Sequence, residues 1–260
     1  MMIIWGTVTR PDTPAQPASA PPRLEVVAES EEWIVVNKPA LLQVHPSKPS
    51  DAATMWHLLR ELLAYELANG GQVSIINRLD RETSGLVLIA KTRAAARHFC
   101  TLMERGRIVK QYLALVRGWP EEDRFAVDAP LLRQGIHGES RIYLKQCVHA
   151  KGAAARTRFE VVRRFERGGR FALVRAYPET GRMHQIRVHL AHTGHAVVGD
   201  KIYGPSEECY LRFIETGWTG ELERALLLRR HALHSAVMEV PDDGLRWEVG
   251  MAEDMEEFCG

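Results

Sequence analysis

The sequence predicts an α+β fold, a mixed, mostly antiparallel central sheet flanked by helices. Three observations predict it. Strand-like and helix-like stretches follow one another without the regular βα alternation of a parallel sheet. Several β-rich runs alternate their side chains between two faces, as strands covered on one side do. Hairpin-type turns join neighbouring runs, at Glu29-Ser30-Glu31-Glu32, at Gly168-Gly169 and at Pro241-Asp242-Asp243-Gly244.

Residues 11–22 hold five prolines among Ala, Ser and Thr, so residues 1–23 are expected to form a flexible leader. Order is expected from Leu24. Leu24–Glu29 and Trp33–Asn37 read as a hairpin, and Lys38-Pro39 closes the second strand because proline cannot extend a ladder. From Asp51 to Asn69, the residues Met55, Leu58, Leu59, Leu62 and Leu63 recur at helical spacing, and Asn69-Gly70-Gly71 ends the helix. Leu86–Ala90 is an unbroken apolar run, the mark of a strand buried on both faces. Thr92 can cap a helix over Arg93–Glu104 that Gly106 terminates.

Ile108–Val116 alternates as a strand, and Arg156–Val162 pairs naturally with Arg170–Tyr177. Met183–His192 has helical spacing, with Gly181 providing the turn into it. His231–Val240 and Leu245–Val249 return to strand. One domain over residues 24–250 and an acidic tail over 251–260 complete the expected organisation.

The composition, 45% hydrophobic and 26% charged, is that of a globular protein, and no apolar run is long enough for a helical membrane span. Cys100, Cys147, Cys209 and Cys259 lie far apart, which suggests neither a zinc ribbon nor a disulfide framework and fits a reduced, cytoplasmic setting. The net charge of +1 hides a strong segregation. Residues 76–118 carry nine basic against three acidic residues, and residues 133–187 carry thirteen against four. Beyond Pro205 the sign reverses, with thirteen acids against five arginines. Such a split fits either a basic face that meets a polyanion or arginines spread over solvated surfaces.

Two segments could carry chemistry. In Asn77-Arg78-Leu79-Asp80-Arg81-Glu82-Thr83-Ser84-Gly85 an acid sits between two arginines. That pattern yields either an ionised carboxylate suited to nucleophilic work or an exposed loop salt bridge. Thr180–His189 crowds His184, Gln185 and Arg187 among apolar neighbours, as either an anion-receiving helix start or an amphipathic helix with one polar face. His184, His189, His192 and His195 lack the spacing of a metal motif, and no cysteine or paired carboxylate completes a ligand set. Phosphate-binding glycine loops and the nucleophile elbow of α/β-hydrolases are absent.

Taken together the segments resemble the RluA-type pseudouridine synthases. Asn77–Leu86 is similar to the family's H-R-L-D-x-x-T-S-G-L signature. Val36-Asn37-Lys38-Pro39 with Val44-His45-Pro46 looks like its early block, and Lys110-Gln111-Tyr112-Leu113-Ala114 with Val116 and Gly118 like its K-x-Y-x-A-x-V-x-G strand. Thr180–His189 resembles T-G-R-x-H-Q-I-R-V-H, continued by Gly194-His195 and Gly199-Asp200-Lys201-Ile202-Tyr203-Gly204. Ala232-Leu233-His234 matches a late block, so the resemblance spans residues 24–249.

The resemblance implies an enzyme that isomerises uridine to pseudouridine in structured RNA, tRNA or rRNA, across a cleft in the sheet. It implies no metal or organic cofactor; no membrane is expected from the lack of a long apolar run, no obligate protein partner is evident in the sequence, and a monomer is the default expectation. Asp80 would be the essential carboxylate, Tyr112 would stack on the flipped base, and Arg187 would hold Asp80 ionised. Arg78, Arg81, Lys110, Arg182, His184 and Gln185 would contact substrate. An inactive RNA-binding protein on the same fold is the competing expectation. Asn77, Met183 and Leu41 depart from the family's usual His, Thr or Ser, and Gly. No S4-like module is expected ahead of Leu24, which leaves specificity to the catalytic domain and chiefly to residues 131–152 and 203–228.

Overall fold

The computed structural model describes residues 23–46 and 53–260. The expected leader lies, but for Arg23, outside the described residues, as does the expected helix start at Asp51. The strands β1 (Glu25–Glu29) and β2 (Trp33–Lys38) form the antiparallel hairpin, and Pro39, with no N–H to donate, follows the last strand residue. The single helix expected through Asn69 is two, α1 (Met55–Leu62) and α2 (Ala64–Ala68), broken at Leu63. A short β3 (Ser74–Ile75) precedes β4 (Ser84–Ala90), in which every residue is buried. The helix α3 (Arg93–Glu104) begins at Thr92, whose hydroxyl accepts the Ala95 N–H at 3.2 Å.

The strand β5 (Val109–Arg117) leads to β6 (Arg124–Asp128), β7 (Leu131–Arg133), a four-residue α4 (Gln134–His137) and β8 (Gln146–Val148). The long pair β9 (Arg156–Glu166) and β10 (Arg170–Pro178) turns at Gly168, as expected. Then come α5 (Gln185–His192), α6 (Glu208–Thr216), α7 (Gly220–Leu226), β11 (Leu233–Val240), β12 (Leu245–Glu248) and α8 (Glu253–Cys259).

One sheet runs in the order β1-β2-β4-β11-β5-β10-β9-β6, with β3 added to β4 and β12 to β11. All its pairings are antiparallel except β4 with β11, so the architecture is the mixed α+β sheet the sequence predicts. Strand alternation sorts the core. Ile34, Val36, Val87 and Ile89 pack with Met55, Leu59 and Leu63 of α1 and α2's junction. Val35, Leu86 and Leu88 instead pack with Ala95, Phe99 and Leu102 of α3, so the two helices cover opposite faces. On α5, Ile186 and Leu190 join the larger cluster.

Residues 251–260, expected as an acidic tail, carry α8, and its Met255 and Phe258 are buried. Phe258 meets Phe171 and Phe165 edge-on, with ring centroids 5.2 and 6.2 Å away. The segment is acidic because its outer face is. Spacing of three residues brings the two apolar side chains to the inner one.

The parallel crossing of β4 and β11 is tight. Gly85 has φ +108°, and a Cβ there would lie 2.2 Å from the Ser235 carbonyl oxygen. Both the space and the backbone angle demand glycine. Gly85→Ala is therefore expected to lower the unfolding free energy in urea by about 3 kcal/mol or more, the range of severe backbone and overpacking changes. A loss below about 1 kcal/mol would show that β11 yields easily at this point.

Candidate active site

Asp80 sits in the loop between β3 and β4. The loop is pinned from below by the buried Leu79 and closed by a bond from the Thr83 N–H to the Asp80 carbonyl at 3.1 Å. Its start is fixed by Asn77, which is buried, donates to the Leu86 carbonyl at 3.1 Å and accepts the Leu88 N–H at 2.8 Å. Asn77 thus acts as a bracket between the loop and β4.

Arg187, buried on α5, reaches across to this loop. Its Nη1 donates to Asp80 Oδ2 at 2.8 Å, while Nε and Nη2 grip Asp200 at 2.6 and 2.9 Å. Asp200 in turn accepts the backbone N–H groups of Ile202 and Tyr203 at 2.9 and 3.0 Å. The result is a chain of carboxylate, guanidinium and carboxylate that opens to solvent chiefly at Asp80, whose side chain is 29% exposed while Arg187 and Asp200 are buried. Burial pushes the Asp80 carboxyl up, but Arg187, His184 and His231 outweigh it and hold the group below its ordinary value. Burial opposes the charge of Asp200 as well, and Arg187 reverses that effect more strongly. Arg187 itself is kept charged despite burial by Asp200 and Asp80.

His184 Nε2 lies 3.9 Å from Asp80 Oδ2, and its Nδ1 is 2.8 Å from the Tyr203 hydroxyl. That hydroxyl accepts the Gln146 N–H at 2.8 Å. All three groups are satisfied when Tyr203 donates to Nδ1 and the imidazole carries its proton on Nε2, toward Asp80. Burial, with Arg187 adding to it, lowers the His184 pKa to about 4, so the ring is neutral near pH 7. The Arg187 guanidinium also lies 5.1 Å from the Tyr203 ring centroid.

Tyr112 lies on β5 opposite Ser235 of β11 and Ala176 of β10, with its ring almost wholly buried. Burial raises its phenol to about 12, and the nearby Asp80 charge works in the same direction. Asp80, His184 and Arg187 are therefore brought together, and Tyr112 lies near enough to feel the Asp80 charge. Arg78 and Arg182 are exposed, and Lys110 is half-buried, its ammonium 3.9 Å from where a Cβ on Gly181 would stand. Arg81 is exposed and donates to the Leu41 carbonyl at 3.2 Å.

Gln185 differs from its expected substrate contact. It is buried, its Oε1 accepts from the Thr180 hydroxyl and the Arg182 N–H, and its Nε2 donates to the Arg156 carbonyl and Thr157 Oγ1. These four internal bonds use its side-chain oxygen and both amide hydrogens to shape the turn. The turn also differs in detail, since the left-handed residue is His184, with φ 56°, and Gly181 has no positive φ. Leu41, where the resemblance has glycine, keeps a left-handed φ of 66°.

The charge segregation of the sequence is cancelled in part in space, where acids beyond Pro205 meet cations from the middle of the chain. Arg141 and Lys145 pair with Glu207, and Arg107 with Asp242. The histidines disperse likewise: His189 bonds Thr157 and the Ala129 carbonyl, and His195 the Arg117 carbonyl. Among the described residues no three His, Cys, Asp or Glu side chains converge as a metal site.

Sequence reasoning did not single out Asp200, Tyr203, Lys38 or His231 as site residues. Lys38 is fully buried and donates to the carbonyls of Pro39, Leu42 and Arg81, which places it directly beneath the Asp80 loop. The signal available for Asp200 and Tyr203 was the Gly199–Gly204 block itself. Asp200→Ala should cost about 3–5 kcal/mol in urea unfolding, because it leaves a buried guanidinium without its bidentate partner. A cost under about 1 kcal/mol would mean that Asp80 alone suffices to hold Arg187.

The RNA pseudouridylate synthase family profile matches residues 32–192. The ribosomal large subunit pseudouridine synthase D of Nitrosomonas europaea is 34% identical over 240 residues, which cover 89% of this chain and 63% of that protein. The protein of the same name from Escherichia coli K12 is 33% identical over 245 residues, 90% of this chain and 69% of its own. The chain thus spans about two thirds of the length of these relatives. Among solved structures, human RNA pseudouridylate synthase domain containing 1 superposes with a TM-score of 0.67 at 26% identity, covering 92% of this chain and 86% of that one. A family profile across more than half of the residues, on a fold shared with a solved relative, places this chain in the RNA pseudouridylate synthase family.

Proposed function

We propose that this chain is an RNA pseudouridine synthase that isomerises uridine in structured RNA, with large-subunit ribosomal RNA as its substrate. The observation that carries the reading is the state of Asp80, a carboxylate held ionised by Arg187 through one oxygen. Its Oδ1 accepts no hydrogen bond among the described residues and is left for a ligand. The names of the relatives point to the ribosomal substrate. No helix among the described residues is long and apolar enough to cross a membrane, and the cytoplasm is the proposed compartment.

Isomerisation breaks the C1′–N1 bond, turns the uracil, joins C1′ to C5 and releases the C5 proton to solvent, while the freed N1 takes up a proton. The uridine must first leave its stack, which a cleft with an aromatic surface and rim cations favours. Tyr112, a neutral phenol only 8% exposed, would meet the turned-out base through the part it leaves open, by stacking and hydrogen bonding. Asp80 acts through its free oxygen. Addition to the ring, attack at C1′ and removal of the 2′ proton all begin from the ionised form, which Arg187 secures. Arg78, Arg81, Lys110 and Arg182 receive phosphates around the opening. His184, neutral and tied to Tyr203, limits where the carboxylate can turn. The chain works as a monomer without metal or organic cofactor.

Asp80→Asn is expected to lower pseudouridine formation on the order of a thousandfold or more. It should leave the fold in place, because Asp200 still holds Arg187. Pseudouridine mapping of ribosomal RNA from cells lacking the protein, restored with either form, checks both points. A site recovered by the Asn variant would refute the assignment.

The pH dependence has a definite sign. Asp80 is depressed below its ordinary value of 3.8, so its active, ionised form persists as pH falls through the usual carboxylate range. The rate should stay level from neutral pH down to about pH 5 and decline only in stronger acid. An acid limb near pH 6.5, the ordinary range of histidine, would transfer the essential ionisation to an imidazole.

A further inference from the structure

Glu82 stands two residues beyond Asp80 on the same loop, with its side chain only 17% exposed. Its Oε1 accepts from Lys201 Nζ at 2.8 Å. Its Oε2 accepts the His231 N–H at 3.1 Å, with His231 Nδ1 at 3.4 Å. The other nitrogen of that imidazole is 2.8 Å from the Thr83 hydroxyl, so His231 holds the loop at two successive residues. Lys201, with a side chain 3% exposed, also donates to the Arg229 carbonyl at 2.6 Å. Its ammonium lies 4.9 and 5.8 Å from the ring centroids of Phe213 and Trp218, the latter in the turn between α6 and α7.

Lys201 directly follows Asp200. One backbone segment therefore reaches the Asp80 loop by two routes, through Asp200 and Arg187 to the carboxylate, and through Lys201 to Glu82. Gly199 lets this segment lie close, since a Cβ there would fall 1.9 Å from the Arg230 carbonyl oxygen. A buried ion pair of this kind contributes little net stability compared with an apolar pair of the same shape. What it does supply is register, because each charge has one place where it is compensated.

We propose that Lys201 and Glu82 are positioning residues, a clamp that fixes the loop carrying Asp80 relative to Arg187 and so sets the aim of the carboxylate. The proposal rests on the uridine-isomerising reading of the site. With the clamp broken the loop shifts, the Asp80–Arg187 contact loosens, and the carboxylate is both misaimed and less firmly ionised.

The test uses Lys201→Met, Glu82→Gln and the double variant in the full chain, with Lys91→Met as a comparison. Lys91 is equally buried and paired with Glu29 and Glu66, but at the far end of β4. Two readouts are taken: amide hydrogen exchange over residues 77–85, and tritium release from large-subunit ribosomal RNA transcribed with C5-tritiated uridine. Exchange in the loop should rise in each clamp variant and stay unchanged in Lys91→Met. The turnover number should fall about tenfold to a hundredfold with KM unaltered, as expected for misplacement of a reacting group. The acid limb of the rate should move to higher pH as Asp80 loses part of its hold on Arg187.

The double variant should lose no more than the worse single one, because either change alone opens the clamp. Additive losses, wild-type exchange in the loop, or the same changes in Lys91→Met would overturn the proposal. Should Lys201→Met fail to fold, Glu82→Gln, which keeps an oxygen for the His231 N–H, still decides. If the wild-type chain releases no tritium, the isomerase reading falls, while loop exchange still tests the clamp.

Discussion

Arg187 is the constraint on which the rest of the site depends. A guanidinium buried this deeply persists only when its charge is compensated and its donors are filled. Asp200 does most of this, gripping two nitrogens while its own spare valence is taken by the N–H groups of residues 202 and 203. The remaining forward nitrogen goes to Asp80. Two carboxylates on one guanidinium leave an excess of negative charge, and geometry puts that excess at the solvent end. The inner pair is structural ballast, and the outer carboxylate is the only member free to meet anything else.

The sheet explains how segments distant in sequence reach this point. Asp80 precedes β4, Arg187 starts α5, and His231 precedes β11. The parallel pairing of β4 with β11 sets the beginnings of those strands side by side, so the loops leading into them share one end of the sheet. Parallel order is available only because the two strands are far apart in the chain. The C-terminal helix completes the arrangement from behind. Asp254 holds Arg230 through two nitrogens, and Arg230 donates to the carbonyls of His231 and Leu233. Residues near the end of the chain therefore brace the turn that carries His231.

What could be read from the sequence follows from locality. The buried run before Lys91, the cap at Thr92 and the hairpin at Gly168 are decided by neighbours within a few residues, and each is found as expected. The pairing of Asp80 with Arg187 was legible through the family resemblance and not through charge pattern, which on its own favoured an exposed loop bridge. Burial was the missing quantity. Lys38, Glu82 and Lys201 look like ordinary surface charges in the sequence, yet each is drawn inside by carbonyls or an opposite charge contributed from elsewhere in the chain. Gln185 was misjudged for the converse reason: a side chain with donors and acceptors suits a ligand until its own turn uses all of them. The helix α8 escaped notice because acidic composition describes its outer face alone.

The charge segregation along the chain has a consequence visible only in three dimensions. The acids beyond Pro205 return to neutralise cations from the middle of the chain, as Glu207 does for Arg141 and Lys145. Counting charges by segment therefore overstates the basic face. Arg78 and Arg182 escape this cancellation and have no carboxylate partner among the described residues, and Arg81 bonds only a carbonyl. These exposed cations belong to the two segments that carry Asp80 and Arg187, the loop before β4 and the turn into α5. On the proposed reading such a division is what a polyanion requires: the phosphates are held at the rim, where cations are exposed, and only the uncharged base is brought against the carboxylate. A more uniformly basic cleft would bind RNA more tightly but would also draw a phosphate onto Asp80's guanidinium, competing for the bond that keeps the carboxylate aimed. Pairing Arg187 twice, inward with Asp200 and outward with Asp80, removes it from that competition.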